Sequence, residues 1–168
     1  MTRWTGLMVV ITGLALSGAV LAKVPRSVEG KVFFTSSKIQ ETSIKALVRR
    51  FEKGTALAEL KRNKNGHWTV TIAAFLGRTP YPGPITIWLY DKRDKAALKA
   101  KEPVNAISVD GGGRSIFIHE LDISPDLGFN KGRVYHVHVG QIIGKRDKVF
   151  ARGEVELLAE RGGGAKTR

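Results

Sequence analysis

Apolar and polar residues alternate along much of the chain with a period of two, the spacing of a half-buried strand. The clearest run covers residues 67–76. There Trp68, Val70, Ile72, Ala74 and Leu76 share one face, and His67, Thr69 and Thr71 share the other. Residues 29–35, rich in β-formers, predict an opening strand, and residues 84–91 predict another. Three hairpins are expected. In the first, residues 55–61 lead through Asn65-Gly66 into the 67–76 strand, because Asn-Gly supplies the positive φ angles of a tight turn. In the second, strands 104–109 and 114–123 flank Asp110-Gly111-Gly112-Gly113. In the third, strands 133–143 and 148–158 flank Gly144-Lys145-Arg146-Asp147.

Residues 37–53 break this pattern. Ile44, Leu47, Val48 and Phe51 recur at helical spacing, with Lys45, Arg49, Arg50 and Lys53 opposite and Gly54 placed as a C-cap. The alternation of Ile44, Ala46 and Val48 leaves a strand as the competing reading. Residues 77–84 hold Pro80, Pro82 and Pro84, so they form a stiff connection and not a central strand. Residues 91–101, charged and alanine-containing, suit a helical turn or a solvated loop.

Seven to eight short strands with at most one short helix predict a mainly β fold, a single antiparallel β-sandwich. Leu121-Asp122-Ile123-Ser124-Pro125, followed by Lys131-Gly132-Arg133-Val134-Tyr135-His136-Val137-His138-Val139, resembles the E–F corner and F strand of immunoglobulin and fibronectin type III domains. That resemblance implies an immunoglobulin-like sandwich in which Tyr135 turns inward and alternate residues follow it into the core. The framework cysteines of antibody domains are absent, and so many functions share the architecture that it implies none.

The first 22 residues read as a signal peptide. Arg3 precedes an apolar run over residues 6–16, and Val20-x-Ala22 places compact residues at a cleavage junction, so the exported form is expected to begin at Lys23. The run is shorter than the roughly 20 apolar residues a membrane-spanning helix needs. Residues 23–161 would then form the β-sandwich domain and residues 162–168 a disordered tail.

Composition narrows the chemistry. The chain has no cysteine, which removes disulfides, thiolate metal sites and cysteine nucleophiles. Neither Gly-x-Ser-x-Gly nor a nucleotide-binding glycine motif occurs, and Asp110 beside three glycines reads as a hairpin tip. Glu120 and Asp122 read as a solvated strand face. No catalytic residue and no cofactor is assigned. His136 and His138 point the same way on one strand and could offer two nitrogens to a metal. Tyr135-His136-Val137-His138 also resembles the paired copper-ligand histidines of copper-zinc superoxide dismutase. The further histidines, zinc-loop aspartate and cysteine pair of that family have no counterpart, since only His67 and His119 remain. With Tyr135, Val137 and Val139 inward, both histidines are expected on the outer face.

The global signal is basic. Lys and Arg number 28 against 15 Asp and Glu, a formal charge of +13. The cations sit in turns and on the helix face, without interleaved aromatics to stack bases, so specific nucleic-acid binding is not expected. Lys145, Arg146 and Lys148 are the anion-binding candidates, because a hairpin tip projects. The sequence thus points to a non-enzymatic secreted or envelope protein of bacterial type, periplasmic or extracellular. Its partner would be a polyanion, such as lipopolysaccharide or acidic polysaccharide, or an envelope protein. The alternative is a small metal-binding or redox protein using His136 and His138.

Overall fold

A computed structural model describes residues 24–40, 43–52, 59–111 and 113–158. The signal-peptide and tail assignments, the proposed cap Gly54 and the hairpin residues 55–58 lie outside the described residues. The fold is mainly β, a mixed sheet curled into an open half-barrel. Its strands are β1 (Lys31–Thr35), β2 (Glu59–Lys61), β3 (Trp68–Phe75), β4 (Pro84–Asp91), β5 (Asn105–Asp110), β6 (Ile116–Ile123), β7 (Arg133–Ile143) and β8 (Arg146–Leu158). They follow one another across the sheet as β5-β4-β7-β8-β1-β3-β6, with β2 added along β8.

The inner face carries the alternating residues the sequence marks out. Trp68, Val70, Ile72, Ala74 and Leu76 enter one core with Ile85, Ile87, Leu89, Tyr135, Val137 and Val139. Trp68 and Tyr135 are each 1% exposed. The Trp68 indole N–H donates to the Leu158 carbonyl at 2.8 Å, and the Tyr135 hydroxyl accepts the Asn130 N–H at 2.8 Å. Both aromatic residues therefore bury their bodies without stranding a polar atom.

The outer face of β1 and β3 has a second, smaller core. Helix α1 (Ile44–Glu52) lays Leu47, Val48 and Phe51 against Ala73 and Phe75. Phe51 stacks on Phe33 at 4.9 Å and meets Phe75 edge-on at 6.0 Å. The helical spacing of residues 44–51 thus prevails over the competing strand pattern, because only a helix brings those three side chains onto one stripe.

Several expectations need correction. Among the described residues there are two α-helices, not at most one: α2 (Lys95–Ala100) buries no residue and is held locally. Asp94 accepts the Ala97 N–H at 2.8 Å, and Lys101 closes the other end in the left-handed region at φ 59°. Antiparallel pairing is not universal, since β1 and β2 both run parallel to β8. The Asn65-Gly66 turn forms, yet β2 does not pair with β3; β1 and β6 already occupy both edges of β3. Likewise β5 and β6 are not a hairpin. β5 pairs with β4 and β6 with β3, at opposite ends of the strand order. The β7–β8 hairpin is as expected, but its turn is only Gly144-Lys145, with Gly144 at φ 63°, so Arg146 opens the return strand.

Candidate functional site

Two places gather chemistry-bearing side chains. One is the outer face of β4, β7 and β8. Their registers place Trp88, His138 and Arg152 in one row and Tyr90, His136 and Glu154 in the next. Strand alternation aims all six away from the core that holds Leu89, Val137 and Val155. Leu98 of α2, His136, His138, Arg152, Gly153 and Glu154 line a shallow, open recess of about 530 Å³.

The two histidines differ in environment. His136 Nδ1 lies 3.2 Å from Glu154 Oε1, while Lys92 Nζ donates to Glu154 Oε2 at 2.7 Å. That lysine hydrogen bond holds the Glu154 carboxyl below the usual range. His138 packs against the Tyr90 ring at 5.1 Å. Burial pushes its pKa down to about 4, with the charges of Arg152 and His136 acting in the same direction. Burial also raises the Tyr90 hydroxyl, helped by the charge of Asp147. The expected outward pair is therefore outward but half-buried, and His138 is a neutral imidazole at neutral pH. The ring centroids of His136 and His138 are 6.5 Å apart. Among the described residues no group of three or more His, Asp or Glu could hold a metal ion. Glu154, the nearest carboxylate, is committed to Lys92.

The second place is the end of the sheet where the β7–β8 turn projects. Lys145, Arg146 and Lys148 are exposed there, and none pairs with a carboxylate among the described residues. The register sets Gln141 across from Lys148, Ile142 from Asp147 and Ile143 from Arg146. Cross-strand partners share a face, so Arg146 and Lys148 leave one side and Asp147 the other. The acidic residue that dilutes the cations in the sequence is thereby separated from them in space. Gln141, 4% exposed, reaches from the same strand to the proline-rich connection. Its amide accepts the Tyr81 N–H at 3.0 Å and donates to the Tyr81 carbonyl at 2.8 Å and the Pro84 carbonyl at 3.3 Å.

Elsewhere, Glu120 and Asp122 lie on an exposed strand face as expected, Asp122 accepting from Thr69 at 3.2 Å and lying 2.9 Å from His67 Nδ1. Asp110 ends β5. Sequence reasoning missed Leu98, Arg152, Glu154 and Lys92 around the histidines, because only strand register brings them together. It also missed the Gln141 clamp, for which a lone glutamine gives no signal. Comparison with known families, characterised proteins and solved structures returns no match.

Proposed function

We propose that this chain is an exported, non-enzymatic binding module on an immunoglobulin-like β-sandwich, and that it engages an anionic surface through the β7–β8 turn. The architecture reading is supported by the strand order. β5-β4-β7-β8 and β1-β3-β6 both contribute to one core, and the two runs pair as strands only where Lys31 registers with Arg152. It is further supported by Tyr135, whose hydroxyl ties back to Asn130 at the entry to β7, as a tyrosine corner does.

The binding reading rests on one observation: three exposed cations, without partner carboxylates, at a projecting two-residue turn and the first residues of the strand that leaves it. Lys92 and Arg133, elsewhere on the sheet, each pair with a carboxylate, at 2.7 Å and 3.1 Å. Leaving three unmatched at one tip stores attraction for a dense polyanion. Such attraction works by counterion displacement, so it falls as salt rises. The test is salt elution from heparin and lipopolysaccharide resins, comparing wild type with Lys145→Ala/Arg146→Ala/Lys148→Ala. The wild type is expected to need substantially more salt. Elution of the wild type at low salt removes the reading, and co-elution at high salt moves the site elsewhere.

Export is supported by the order of charge, apolar run and Val20-x-Ala22 at the start of the chain. Among the described residues no helix is long and apolar enough to cross a membrane. Intact-mass measurement on material exported by a bacterial host is expected to give a chain beginning at Lys23. A mass that includes residues 1–22 would refute it.

A further inference from the structure

The two most exposed large apolar side chains among the described residues are Tyr81, at 66%, and Ile142, at 58%. They leave the same end of the sheet, because the Gln141 amide that grips the Tyr81 backbone belongs to the residue preceding Ile142. Pro80 and Pro82 flank Tyr81, and its backbone N–H and carbonyl are both bonded, so the ring is presented on a fixed connection. An aromatic ring held this way stays in contact with water, without the option of folding back onto the core.

Cations gather at the same end. Lys145 follows Ile142 into the turn. Arg146 and Lys148 leave the strand pair on the face of Gln141, which holds the Tyr81 connection, while Ile142 leaves on the face of Asp147. Arg78 lies over the Phe150 ring at 5.7 Å. Arg114 joins them, since the neighbouring Gly113 N–H donates to the Pro80 carbonyl at 3.2 Å. The acids at this end are Asp110, Asp147 and Glu29, the last beside Gly77. The end therefore combines excess positive charge with exposed apolar surface.

We infer that this end docks on an anionic lipid bilayer, with Tyr81 and Ile142 entering the interface while the cations meet the headgroups. This rests on the reading that the turn binds an anionic surface, and it adds the apolar component. A soluble, densely sulfated polysaccharide such as heparin rewards chiefly charge. A bilayer rewards charge and apolar burial together, and tyrosine in particular settles at the headgroup level.

The experiment is co-sedimentation of the purified chain with vesicles of phosphatidylglycerol in phosphatidylcholine and with vesicles of phosphatidylcholine alone. Retention on heparin is measured in parallel. Wild type is compared with Tyr81→Ser/Ile142→Ser, whose fold is checked by its melting temperature. The expected result is binding to the anionic vesicles only, weakened about tenfold or more in the variant, with heparin retention unchanged. Equal vesicle binding by wild type and variant overturns the inference. Retention on heparin without vesicle binding overturns it too, leaving a charge-only polyanion site. Binding to neither removes the underlying reading as well. A wild-type dimer that the substitutions dissociate would assign the patch to a second copy of the chain instead.

Discussion

Replacing His138 with glutamine keeps a polar side chain of similar reach but removes a titratable group from a half-buried site beside Tyr90. In the folded protein His138 titrates near 4; in the unfolded chain it returns to its ordinary value of 6.5. Above pH 6.5 the imidazole is neutral in both states and the stability it permits is present in full. As pH falls from 6.5 toward 4, the unfolded state takes up a proton that the folded state refuses, so stability is lost over that window. Below about 4 both states are protonated and the loss levels off. At about 1.4 kcal/mol per pH unit, the ceiling is about 3 kcal/mol. Partial exposure of the ring to solvent lowers the working expectation to about 2 kcal/mol between pH 7 and pH 4.5. Urea unfolding at both pH values, at fixed ionic strength, measures it. Contributions from His119 and Glu154 are common to both proteins and cancel to first order. His138→Gln should lose about 2 kcal/mol less than wild type across the interval. Parallel losses, within about 0.5 kcal/mol, would mean that the imidazole is hydrated in the fold and that the burial argument is wrong.

Trp68→Ala should cost about 3–5 kcal/mol in a denaturant titration, since it empties the largest buried side chain and strands the Leu158 carbonyl; a loss below about 1 kcal/mol would invert the face assignment of β3. Gly140→Ala should cost about 3 kcal/mol or more, because the new Cβ would stand 2.0 Å from the Lys148 carbonyl oxygen at the β7–β8 bulge, where backbone and not a flexible side chain must yield. An unchanged unfolding midpoint would show that the bulge is not packed as described. Metal content of untagged wild type and of His136→Ala/His138→Ala should be equal and near zero; a metal retained only by the wild type would favour the two histidines as a metal site.

The residues that lie on one face were legible in the sequence, and the partners of those faces were not. Alternation over residues 67–76 assigns Trp68 to the core, and alternation around Tyr135 turns His136 and His138 outward, because side-chain direction is a local property of a strand. Pairing is settled by which edges remain free. Residues 59–61 carry the pattern of a hairpin arm, yet β3 is taken on both sides and the arm goes to β8. Asp110 and the glycines after it look like a hairpin tip for the same local reason, but β5 pairs with β4 and β6 with β3. Residues 91–101 were read as a helical turn or a solvated loop, and without an apolar stripe the pattern could not decide for α2, although its Asp94 cap stood in the sequence. At the tip, the cations Lys145, Arg146 and Lys148 were legible, while their separation from Asp147 follows only from the register of the strand they enter.

The seam between β1 and β8 sets the order in which this chain can finish folding. Among the described strands β1 is made first and β8 last, and they meet in register only at Lys31 and Arg152, where the Arg152 N–H also donates to the Gly30 carbonyl at 2.9 Å. A Cβ on Gly153 would come within 2.6 Å of the Val32 carbonyl, so even this brief meeting depends on one residue without a side chain. Closing so long a loop is entropically costly and kinetically slow. A chain delivered from its N-terminus can therefore assemble β1, β3 and β6 while one edge of β1 still lacks its neighbour. Until residues 146–158 arrive, a second chain competes for that edge, and the hazard of mispairing is set by the speed of delivery and not by the stability of the finished fold.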